Sequence, residues 1–108
     1  MAKVIVNQAV SLTDSQLVAG VAGKKVRVTA LAIKSGGTAT NVTFNSKLPS
    51  AAPVAVSPLL AMGANDDLVL PSMPGGWFDD TASGAALTCT TGAGSATGMM
   101  VHYDLVDA

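Results

Sequence analysis

Lys25-Val26-Arg27-Val28-Thr29-Ala30-Leu31-Ala32-Ile33 is the stretch on which the reading of the fold turns. Its first half alternates β-branched and polar residues, the period-2 pattern of a half-buried strand, with Arg27 and Thr29 outward. Its second half is apolar at every position, and Ser35-Gly36-Gly37 closes it with a turn. A strand that is apolar on both faces lies under other elements or offers an apolar outer face to a partner. On this reading Leu31 and Ile33 stand where solvent is expected, which marks them as candidate contact residues.

Working toward the N-terminus, Leu17-Val18-Ala19-Gly20-Val21 reads as a strand turned by Ala22-Gly23-Lys24, which suggests an antiparallel neighbour. Thr13-Asp14-Ser15-Gln16 resembles a helix-opening capping box, but Gly20 and Gly23 would end such a helix within two turns, so the strand is preferred. Toward the C-terminus, Asn41-Val42-Thr43-Phe44-Asn45 alternates with Val42 and Phe44 inward. Five prolines between positions 49 and 74 then permit only short or edge strands, at Ala55-Val56, Leu59–Met62 and Leu68–Leu70. Asn65-Asp66-Asp67 is a turn. Gly75-Gly76 opens a Trp77-Phe78 strand that Asp79-Asp80 closes. Ala86 to Thr91 alternates again, Gly92-Ala93-Gly94-Ser95 turns, and Met99 to Val106 forms the final strand. In that strand Met99, Val101, Tyr103 and Leu105 share one face, and Met100, His102, Asp104 and Val106 the other. About eight short strands between Gly, Pro and Asn turns predict a single all-β domain over 1–108, a β-sandwich of jelly-roll-like form. Residues 1–16 are expected to be an N-terminal arm or an edge strand.

Length supports one such core. By area scaling, 108 residues fold to a surface of roughly 5,500 Å² from about 15,500 Å² unfolded. Hydrophobic residues make up 49 % of the chain and charged residues 12 %, about half the usual charged share. Six basic and seven acidic side chains leave a net charge of -1, without the basic excess that binds phosphates, so nucleic acid is not expected as a partner. No apolar run reaches membrane-spanning length, and four aromatics cannot supply the girdles of a membrane barrel. The short apolar run at the N-terminus is not a secretory signal, so a cytoplasmic site of synthesis is expected.

The residues of chemistry are sparse. Cys89 is the only cysteine, which excludes an intrachain disulfide, and its alternating position suits a small buried hydrophobe. His102, the only histidine, shares a strand face with Asp104, but no nucleophile motif accompanies the pair. One Cys and one His make no zinc site. Asp66-Asp67 and Asp79-Asp80 sit in turns, where adjacent carboxylates diverge and cap local backbone. The Asn41-Val42-Thr43 sequon has no signal peptide to give it meaning. No catalytic residue, cofactor or metal is expected. Trp77 and Phe78 either fill a core poor in large residues or supply a contact surface.

Thirteen charges are few for a free-standing domain, and the apolar residues Leu31, Ile33, Met100 and Val106 fall on faces that solvent should wet. Both observations point to a surface that is covered in use. Expected contact residues are Trp77, Phe78, Leu31, Ile33, Met100 and His102.

The run from Leu17 to Val28, Asn41-Val42-Thr43-Phe44, Gly76-Trp77-Phe78, Ser83–Thr88 and the closing Thr97–Tyr103 together resemble small β-sandwich structural proteins of tailed-bacteriophage virions. The likeness covers about Leu17 to Val106 and is a texture of strands and turns without a diagnostic motif. It implies a non-enzymatic virion role, foremost that of a capsid decoration or cement protein. Such a protein forms homo-oligomers, often trimers, on the major capsid lattice at the outer surface of the head. The alternative within the same group is a fibre or tail-appendage module that recognises a host-surface glycan through Trp77 or Phe78.

Overall fold

The structure, a computed structural model, describes residues 2–8, 14–92 and 97–108. Among these residues there are nine strands and no helix: β1 (Ala2–Gln8), β2 (Ser15–Val18), β3 (Lys24–Lys34), β4 (Thr40–Lys47), β5 (Val54–Ala55), β6 (Leu60–Met62), β7 (Asp67–Leu70), β8 (Ala86–Thr91) and β9 (Thr97–Asp107). They make a sandwich of two antiparallel sheets. Sheet A has the order β1-β9-β3-β7, and sheet B the order β2-β8-β4-β5, with β6 sharing the edge of β4. The first four strands alternate between the sheets, so no two of them that follow one another in the chain pair together.

The core lies between the sheets. Val26, Val28, Leu31, Ile33 and Val101 from sheet A pack in one cluster with Val42, Phe44, Leu87 and Cys89 from sheet B. Phe44 is fully buried and stacks on Phe78, ring centroids 5.6 Å apart. The accessible surface is 5273 Å², close to the value that length alone predicts.

A β-bulge in β3 corrects the sequence reading. Val28 pairs with Tyr103 of β9, and Ala30 pairs with the next residue, His102, so Thr29 is an extra residue in the ladder. The inserted residue shifts the alternation by one. Val26 and Val28 point inward before it, and Leu31 and Ile33 point inward after it, each 2 % exposed. Leu31 and Ile33 are therefore core, and the outward residues of this half are Ala30 and Ala32. Thr29, expected outward, is fully buried, and its hydroxyl donates to the His102 carbonyl at 3.3 Å.

Two further expectations change. β2 is a strand, but it pairs with β8 in sheet B and not with β3. The turn at Ala22-Gly23, with Gly23 at φ 74°, carries the chain from one sheet to the other. Trp77-Phe78 is not a strand. The segment from Met73 to Gly84 runs irregularly along the half of β3 that β7 leaves unpaired. The amides of Met73, Trp77, Thr81 and Gly84 donate to the carbonyls of Thr29, Val28, Val26 and Lys24 at 2.8–3.0 Å. Thr81 completes the imitation of a strand, since its hydroxyl accepts from the Val26 amide at 2.8 Å. The expected turn at Gly92–Ser95 lies largely outside the described residues.

Candidate functional site

The register across sheet A brings four residues into one row on its outer face. Ile5 of β1 pairs with Met100 of β9, Met100 with Ala32 of β3, and Ala32 with Val69 of β7. Directly opposed residues in a sheet share a face, so the row is apolar from one edge of the sheet to the other. Ile5 is 67 % exposed, Val69 69 % and Met100 36 %, while the small Ala32 leaves a depression of about 410 Å³ between its larger neighbours. The flanking rows bring charged and polar residues, Lys3 and His102 on one side and Lys34 and Asp67 on the other, with Ala30 and Gly98 in the same two rows. Lys34 and Asp67 form an exposed ion pair at 3.2 Å.

The outer face of sheet B has the opposite character. Asn45 of β4 stands opposite Thr88 of β8, and Thr43 opposite Thr90. The Asp14 carboxylate accepts from Thr88 Oγ1 at 3.1 Å and Asn45 Nδ2 at 3.4 Å. The Asp14 amide donates to Thr90 Oγ1 at 3.2 Å, with Asp14 at φ 50°, a backbone state that Asp tolerates. These polar groups satisfy one another. Of the two outer faces, that of sheet A carries the apolar row.

Of the expected contact residues, Met100 lies at the centre of the row and His102 beside it, half-buried. Leu31 and Ile33 face the core. Phe78 packs against the core through its stack on Phe44. Trp77 is half-buried, and its indole N–H donates to the Pro71 carbonyl at 2.7 Å. Ile5 and Val69 escape sequence reasoning, because only the register of four strands places them beside Met100. The one legible signal was the phase of β9, which set Met100 apart from Met99 and Val101.

The carboxylate doublets serve the framework. Asp66 Oδ2 accepts from the Gly63 amide at 3.1 Å in the turn before β7. Asp80 takes two hydrogen bonds of 2.9 Å from Arg27, whose guanidinium is held more firmly protonated by that contact and by the charge of Asp80. Asp104 stands opposite Arg27 on the outer face. Burial pushes the Cys89 thiol up to about 11, so it is a packed thiol at neutral pH. Among the described residues no group of three or more His, Cys, Asp or Glu is arranged to hold a metal ion. No family model matches the chain, and no curated protein or solved structure matches it at a significant level.

Proposed function

We propose that this chain is a non-enzymatic structural protein that self-associates and seats the outer face of sheet A on a larger protein surface, as a decoration protein does on the outside of a virion head. One observation carries the packing role: the row Ile5–Met100–Ala32–Val69 crosses sheet A from edge to edge, while the outer face of sheet B satisfies its own polar groups. A contiguous exposed apolar patch on a weakly charged domain is the physical mark of a surface made to be covered. The virion setting rests on the resemblance in sequence texture, and the jelly-roll winding is part of the same reading.

The test is co-sedimentation with empty shells of the major capsid protein encoded nearest to this chain. The wild-type protein is expected to pellet with the shells. Met100→Lys places a charge at the centre of the row and is expected to weaken binding about tenfold or more, with an unchanged circular dichroism spectrum. Wild-type protein that stays in the supernatant at all concentrations overturns the reading.

A further inference from the structure

We infer that two copies of this chain pair antiparallel through the outer edge of β1, with the two-fold axis passing at Ile5. An unpaired strand edge is a template for another strand, and folded proteins blunt such edges by shortness, bulges, proline or cover. The chain does so nearly everywhere else. β7 has four residues and runs into Pro71, β5 and β6 have two and three, and β2 has four with a register irregularity at Gln16/Val18. The free half of β3 is covered by the Met73–Gly84 segment. β1 is different. It is seven residues long, holds no proline and pairs in unbroken register with β9, and among the described residues its backbone pairs with no other strand.

The register follows from the strand itself. A two-fold axis normal to the sheet keeps the core face of both copies on the same side, which requires that one residue of β1 face its own copy. Full overlap of residues 2–8 makes that residue Ile5. Ile5 is also where the apolar row reaches the edge of sheet A, a fact independent of the strand's length. Charge agrees. Lys3, the only charged residue of β1, falls opposite Asn7 in this register, whereas parallel pairing would set Lys3 against Lys3. The result is a continuous eight-stranded sheet with an unbroken row Val69–Ala32–Met100–Ile5–Ile5–Met100–Ala32–Val69. Its width rises from about 19 Å to about 38 Å at the usual strand spacing.

This deepens the proposed function by naming the self-association, and rests on that reading only in requiring that the chain associate with itself. Sedimentation equilibrium of the full chain is expected to give a dimer. Ile5→Cys is expected to cross-link into covalent dimers on oxidation. Lys3→Cys alone is not, because its two copies lie about 13 Å apart, beyond disulfide reach, and Lys3→Cys with Asn7→Cys is. Ile5→Lys, at an exposed position, is expected to raise the dimer dissociation constant at least about tenfold without loss of fold. A monomer, a trimer, or cross-linking that does not favour position 5 overturns the inference. A dimer with this cross-linking pattern that ignores capsid shells leaves it standing and removes the decoration reading. Shell binding by a monomer or trimer does the reverse.

Discussion

Arg27 reaches out from β3 to Asp80 with two parallel hydrogen bonds of 2.9 Å, fastening the irregular Met73–Gly84 segment to the strand whose edge it covers. Geometry of this fork-to-fork kind is specific to arginine and a carboxylate. Arg27→Lys keeps the charge and loses the fork. It is expected to lower the melting temperature by a few degrees and to speed amide exchange at Thr81 more than at Val101. Equal acceleration at both amides would show that the pair has no local role.

Thr29 sets the phase of β3, so its removal is predicted to be worse than any trimming of its side chain. Deleting Thr29 turns either Val26 and Val28 or Leu31 and Ile33 to the outside of the sandwich. No folded protein is expected by near-ultraviolet circular dichroism. Thr29→Ser, which keeps the hydroxyl and the bulge, is expected to fold.

Gly20 and Gly37 are predicted to respond in opposite ways to alanine. A Cβ at Gly20 would overlap the carbonyl oxygen of Gly84, a backbone atom that cannot swing aside. Gly20→Ala is expected to cost about 1–3 kcal/mol in denaturant unfolding. A Cβ at Gly37 meets nothing within 4 Å, and there alanine is expected to leave stability unchanged or raise it by up to about 1 kcal/mol.

Cys89 gives the pH dependence a sign. Burial raises its thiol from 9.0 to about 11, so the fold favours the protonated form. That contribution is whole below pH 9, where the unfolded thiol is also protonated, and is lost as pH rises through about 11. At the acid end the hydrogen bond and charge of Lys24 hold the Asp107 carboxyl below its usual range, so their contribution is lost as pH falls through that lowered value. Thiol reagents at pH 8 are expected to label Cys89 only at the rate of global unfolding. Rapid labelling of native protein would contradict its burial.

Much of this sandwich was legible in the chain. The prolines confined the middle strands, and β5, β6 and β7 begin and end within one residue of where Pro and Asp spacing put them. The alternation of β4 placed Val42 and Phe44 inward, as they are, and that of β9 separated the buried Met99 and Val101 from Met100. What could not be read was pairing. A bulge is a property of two strands, and nothing in Val28-Thr29-Ala30 announces the extra residue that sends Leu31 and Ile33 to the core. The turn at Ala22-Gly23, read as joining antiparallel neighbours, instead carries the chain between the sheets, and the turn residues are the same for both. Of the candidate site only Met100 and the neighbouring His102 were visible, because Ile5, Ala32 and Val69 become neighbours through three separate registers.

The place of β9 in sheet A governs when the molecule can be finished. β1 and β3 do not pair with each other; both pair with β9, and Lys24 at the start of β3 is matched with Asp107 at its far end. On the ribosome, β1 therefore waits without a strand partner until β9 has been made, and β3, which can already meet β7, waits for its longer ladder. Folding dominated by such remote pairings is slow. A strand edge competent to pair with a second copy comes into being only when β9 backs it. Half-made chains thus lack the surface through which finished ones would join.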